Sequence, residues 1–189
     1  MNYEEFAQAL KVKFGAYTPK ETAVAFNVLD EMHANENAHT RILASLIRIP
    51  EIGRSFVEYV AKKRPDLAGD ILPFSTEDFS VDCQTDCVDL RIEYGSKLII
   101  VENKVKGAVD QNEQIDRYVM RGRETHQPMD IFVIYLTKDG TKQIADYSFN
   151  KAKKDLNYVD ANNQGHFILI DYAHHIVDWL ENHVKFSVA

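Results

Sequence analysis

Apolar positions along the chain keep a helical period first, an extended one next, and then alternate between the two. "PKETAVAFNVLDEMH" sets Val24, Val28 and Met32 on one stripe, with Pro19 near its start, and predicts a first helix. Asn35 stands as an N-cap for a second, "ENAHTRILASLIRI", which stops at Pro50 because a proline drives the residue before it out of helical geometry. "EIGRSFVEYVAKKR" makes a third, ending at Pro65. The segments "DFSVDC", "CVDLRIEY" and "KLIIVENK" are short, rich in β-branched residues and separated by turn chemistry, so they read as strands. "VDQNEQIDRYVMRG" returns to helical spacing and stops at Gly122, and "MDIFVIYL" is a fully apolar strand closed by "TKDG". Residues 141–165 are polar and irregular, with one short helix at "FNKAKKDL". A last strand, "HFILID", and a last amphipathic helix, "YAHHIVDWLENHV", follow.

The helix between "KLIIVENK" and "MDIFVIYL" makes those strands parallel, and strands apolar on both sides need cover on both faces. The pattern predicts an α/β fold, an α/β/α sandwich around a mixed sheet, with extra helices at the N-terminus. Neither an internal repeat nor a low-complexity linker interrupts residues 1–189, so one domain is expected.

Composition narrows this only a little. At 45% hydrophobic, the chain can fill one core and is short for two, and 27% charged residues do not suggest disorder. A formal charge of −7 argues against non-specific coating of nucleic acid or membrane, yet permits a local basic groove. Cys83 and Cys87 stand in a C-x-x-x-C spacing without a second Cys or His pair nearby, and read as reduced thiols rather than a zinc site. "MNYEEFAQAL" has two glutamates in its first five residues and no secretory apolar core, and no run approaches a membrane span. A soluble, cytoplasmic protein without membrane association is the expectation.

Chemistry enters at "VDLRIEYGSKLIIVENK", where a buried-looking strand runs into three polar side chains. Gly95-Ser96 suits a two-residue hairpin turn, which pairs Tyr94 with Lys97 and, further back, sets Asp89 opposite Glu102. Opposed residues share a sheet face, and Lys104 points the same way. Two adjacent carboxylates repel unless one binds a proton or a cation intervenes, and hard oxygen ligands favour Mg²⁺ or Mn²⁺. The hairpin alone is equally compatible with an exposed end carrying surface charges, and a one-residue slip would part the carboxylates. Glu36 heads a stripe continued by Thr40, Leu43 and Ile47, with His39 and Leu46 beside it. It serves either the helix dipole or an inward-facing site. Gln111, Gln114, Tyr118 and Arg121 form a polar stripe on the next helix, with Ile115, Val119 and Met120 on its apolar side. Lys106, Arg117, Arg121, Arg123 and the "KAKK" run at 151–154 are surface cations or phosphate contacts.

Asp89, twelve residues, then "ENK" at 102–104 resembles the core signature of the PD-(D/E)xK nuclease superfamily, the restriction-endonuclease-like fold. "ENAHTRILASLI" is similar to the E-x-x-H helix of a bacterial branch, "VENKVKGAVDQNEQIDRY" to its ENK strand and Q-x-x-x-Y helix, and "VIYLTKDG" and "YAHHIVDWL" to its later elements. The resemblance, spanning roughly residues 35–181, implies a restriction-endonuclease-like sandwich and a Mg²⁺- or Mn²⁺-dependent nuclease acting on DNA, in defence, repair or mobile-element biology. It implies that Glu36, Asp89 and Glu102 are metal-binding carboxylates, with Asn103 contributing its backbone carbonyl. Lys104 would position the attacking water and stabilise charge on phosphate, with Gln114 as auxiliary. Tyr118 would support Gln114, and His39 would contact phosphate, orient a ligand or fill the core; together with Lys106, Arg117 and Arg121, which are close in sequence to the site, they are the candidate substrate-binding residues. Relatives often pair to cut two strands, so a homodimer is expected too. The chain is short for a separate DNA-reading domain, which counts against sequence-specific cleavage. The alternative is a non-catalytic nucleic-acid- or protein-binding module on the same fold.

Overall fold

The computed structural model describes residues 36–85, 88–105 and 109–184, within the unit that starts at Asn35. The helix expected at "PKETAVAFNVLDEMH" lies outside the described residues, as do Cys87 and Lys106. The chain forms α1 (Glu36–Ile47), α2 (Pro50–Lys63), a 3₁₀ turn (Pro65–Leu67), a short α3 (Ala68–Ile71), then β1 (Ser80–Thr85), β2 (Val88–Tyr94) and β3 (Lys97–Lys104). After α4 (Gln114–Gly122) come β4 (Ile131–Thr137), α5 (Ala152–Asp155), β5 (Phe167–Asp171), a π-helical turn (Tyr172–Ile176) and α6 (Val177–Asn182).

The five strands lie in sequence order, β1-β2-β3-β4-β5. β1, β2 and β3 pair antiparallel, whereas β3, β4 and β5 pair parallel, so the sheet is mixed. β2 alternates buried and half-buried positions, while β4 is buried throughout. That difference follows from cover. Leu90, Ile92, Ile99, Val101 and Ile134 pack with residues of α1, α2 and α6 on one face. Ile100, Val133, Tyr135 and Phe167 pack with residues of α4 and α5 on the other. This is the α/β sandwich of a restriction-endonuclease-like fold.

Two details differ from the sequence expectation. Helical spacing suggested that α4 starts at Val109, but the helix begins only at Gln114. Asp110 is drawn away to accept hydrogen bonds from the Tyr135 hydroxyl (2.8 Å) and the Ala145 N–H (2.9 Å), and Glu113 takes a left-handed φ of 51°. Met120, expected on the apolar side of this helix, is 64% exposed, and the "polar" positions Gln114 and Tyr118 are the buried ones. The amide and hydroxyl groups are turned inward because they have partners there, described below.

Trp179 of α6 joins the larger core. Its ring meets Phe56 edge-on at 5.1 Å and its indole N–H donates to Ser55 Oγ at 3.2 Å. Trp179→Ala is expected to lower stability by about 3–5 kcal/mol, since it removes a fully buried ring and leaves a cavity. Urea unfolding of the two proteins measures the difference.

Candidate active site

The hairpin from Val88 to Lys104 supplies the site's charged groups. Gly95 takes φ +53° while Ser96 keeps a negative φ, the pattern of a type II′ turn whose twist suits antiparallel strands. Register follows from the turn: Tyr94 pairs with Lys97, and the ladder continues to Leu90 and Val101. Hydrogen-bonded couples recur at every second position, so Val88–Asn103 would come next. Instead the Asn103 N–H donates to Asp89 Oδ2 at 2.8 Å. The side chain of Asp89 thus takes up a backbone donor where the two strands part, which fixes its carboxylate beside Glu102.

Glu102 and Lys104 lie on the face covered by α4, both almost fully buried at 1% and 5% exposed. Lys104 Nζ contacts Glu102 Oε1 at 2.6 Å and donates to Gln114 Oε1 at 3.1 Å. Gln114 Nε2 in turn donates to the Tyr118 hydroxyl at 2.8 Å, one helical turn on. Tyr118 faces the Glu102 carboxylate, and among the described residues no hydrogen bond reaches Glu102 Oε2. Burial, and next the charge of Asp89, push the Glu102 carboxyl up from 4.5 to about 7, while Lys104 pulls the other way. Burial raises the Tyr118 phenol far above its usual range, so it stays a neutral hydroxyl.

Helix α4 is able to present Gln114 at its first position because other segments satisfy its opening N–H groups. Glu113 N–H donates to the Tyr147 carbonyl (2.8 Å) and Ile115 N–H to the Ser148 carbonyl (3.0 Å). Such groups have no partner inside their own helix. Gln114 Oε1 also accepts from the Gln111 N–H at 3.3 Å, which folds its side chain back over the end of β3.

Asn103 points to the opposite face. Its Nδ2 donates to Thr40 Oγ1 of α1 (3.1 Å) and to the Tyr172 hydroxyl (3.2 Å) after β5. His39 packs edge-on against Tyr172 at 5.8 Å, buried in this layer rather than lining an open surface. Thr40 and Tyr172 were not singled out as functional from the sequence. A tyrosine directly after the last strand was the available signal for Tyr172. Burial holds its phenol far above the ordinary range, neutral and fit to accept from Asn103.

The other expected residues are placed as follows. Glu36 opens α1, one turn before Thr40, and its side chain lies outside the described residues. Arg117 sits on the outer side of α4 and braces the loop before it, donating to the Asn112 carbonyl and to Gln111 Oε1 (3.1 Å). Arg121 is half-buried two turns beyond Gln114. Among the described residues no set of three or more His, Cys, Asp or Glu side chains gathers to hold a metal ion. Asp89 and Glu102 do stand together, and Glu102 Oε2 is buried with no hydrogen-bond partner among the described residues. A bare carboxylate oxygen beside a second carboxylate is an arrangement a cation relieves, so this donor set fits a divalent ion.

Residues 25–189 match the family model of the PD-(D/E)XK nuclease superfamily, and the chain belongs to it. The comparisons with curated proteins and with solved structures gave no match. Membership makes this a protein of a nuclease class, and among the described residues no helix is long and apolar enough to cross a membrane.

Glu102 binds its proton more tightly in the native chain than in the unfolded one. Without metal, its contribution to stability is therefore greatest below pH 4.5 and is lost as the pH rises to about 7. The loss is on the order of 3 kcal/mol. Urea unfolding in chelator across this window is expected to show that decline in the native sequence and a flatter curve in Glu102→Gln.

Proposed function

We propose that the protein is a Mg²⁺- or Mn²⁺-dependent nuclease that hydrolyses phosphodiester bonds of DNA. Asp89 and Glu102 are the metal-holding carboxylates, joined by Glu36 and the backbone carbonyl of Asn103, with Lys104 and Gln114 serving the phosphate. The observation that carries this reading is the buried Glu102 Oε2, which has no hydrogen-bond partner among the described residues, beside Asp89 and with the Lys104 ammonium on the other oxygen. Two further features support it. On a strand the N–H and C=O of one residue point to the same side, so the Asn103 carbonyl faces the Asp89 side, as its N–H does. Glu36 shares a helix face with Thr40, which touches Asn103.

When bound, the divalent ion lowers the pKa of its water and neutralises charge on a phosphate oxygen. The chain's own groups do the rest. Lys104, anchored by Glu102 and Gln114, brings a fixed positive charge to the phosphate as negative charge builds on it. The water oxygen bonds to phosphorus, the bond to the leaving sugar oxygen breaks, and that oxygen takes up a proton. Gln114 is a positioning residue: its amide holds Lys104 on one side and Tyr118 on the other. Asp89 stays ordered through the Asn103 N–H.

Calorimetric titration with Mn²⁺ and a cleavage assay on single- and double-stranded DNA test the reading together. Asp89→Ala is expected to weaken Mn²⁺ binding about 10–100-fold and to abolish cleavage. Lys104→Met is expected to retain Mn²⁺ binding and to slow cleavage by about 100-fold. Cleavage by Asp89→Ala at the native rate would refute the assignment, and Mn²⁺-independent nucleic-acid binding without cleavage would support a non-catalytic module.

A further inference from the structure

A cleft of about 370 Å³ lies between the outer side of α4 and the start of α5. It begins at Glu113, next in the chain to the Gln114 that holds Lys104, and it ends at Arg123. Its cations come from two distant stretches of sequence: Arg117 and Arg123 from α4 and its end, Lys151 and Lys154 from α5 and the residue before it. We propose that this cleft carries a single nucleic-acid strand away from the active site, the phosphates following Arg117 and Lys154 and a base lying on Met120. The inference rests on the nuclease reading above and adds the path of the substrate.

Charge arrangement is the first support. Two of the four cations are already matched, Lys151 by Glu113 at 2.6 Å and Arg123 by Asp155 at 2.9 Å. The third carboxylate, Asp116, is committed to backbone, accepting from the N–H groups of Asn150 (3.0 Å) and Ala152 (2.8 Å) at the start of α5. Arg117 donates only to neutral acceptors, and no carboxylate lies within ion-pair reach of Lys154 among the described residues. The lining therefore carries four cations against three carboxylates, a small local excess of positive charge in a chain whose formal charge is −7. A chain of this net charge offers nucleic acid no diffuse attraction, so any binding rests on local cations such as these.

Met120 is the second support. It stands 64% exposed on the middle of α4, within the cleft rather than in the core its helical position suggested. A polarisable, flexible side chain between cations offers what a nucleotide needs: apolar surface for the base and donors for the phosphate.

Binding is measured on the Glu102→Gln chain, by fluorescence anisotropy with labelled oligothymidylates of about 4 and about 20 nucleotides over a range of salt. Met120→Glu with Lys154→Glu is expected to weaken the long strand at least tenfold and to leave the short one within twofold. For single strands each lost phosphate contact flattens the slope of log affinity against log salt by about 0.7. Lys62→Glu on α2, which makes the same lysine-to-glutamate exchange as at Lys154 but on the other face of the sheet, is expected to do neither. An unchanged long-strand affinity in the cleft variant, or an equal loss in Lys62→Glu, overturns the inference. Because the readout is binding, it decides the cleft even for a protein that proves unable to cut.

Discussion

A lysine ammonium and a glutamate carboxylate meet at 2.6 Å where both are almost wholly out of water, and the arrangement of the site follows from that contact. Taking two charges into a protein interior is costly, and their attraction repays it only when the remaining donors and acceptors are satisfied. Lys104 gains a second partner in Gln114, whereas one Glu102 oxygen has no hydrogen-bond partner among the described residues and Asp89 is a like-charged neighbour. The fold accepts an arrangement that stability alone does not favour. Native proteins break their own packing rules mainly where function requires it.

The scaffold has to hold this strained group from both sides of the sheet, and it does so through hydrogen bonds rather than apolar contact alone. On one face Asn103 ties α1 and the segment after β5 to the strand that carries Glu102. On the other, carbonyls of residues 147 and 148 complete the first turn of α4, and Asp116 completes the first turn of α5. The irregular stretch before α5 is thereby fastened to the helix that positions Gln114. Loops placed in this way act as part of the site without touching its charged groups.

Local chemistry made much of this readable before any coordinates. The turn at Gly95-Ser96 fixed the register, so β3 occurs at Lys97–Lys104 as the pattern predicted, and the ladder ends at Leu90 and Val101, one step short of the expected Asp89–Glu102 pair. What could not be read depends on partners distant in sequence. Helix α4 begins five positions later than its spacing suggested because Asp110 is claimed by Tyr135 and Ala145. Gln114 and Tyr118 were tied to the site by their resemblance to a Q-x-x-x-Y helix, whereas helical spacing alone does not show that Lys104 and Glu102 lie beneath them. Basic residues of α4 and of the "KAKK" run were each visible, but their convergence on one cleft belongs to tertiary structure.

The hairpin that joins β2 to β3 has a bearing on how the chain acquires its chemistry. Asp89, Glu102 and Lys104 belong to one local unit closed by a two-residue turn, whereas Gln114 and the carbonyls that seat it come from later in the chain. Short-range closure costs little entropy, so pairing within this hairpin does not have to wait for the rest of the chain. During synthesis on the ribosome the acidic pair can then form, open to solvent ions, before the helix that covers it has been made.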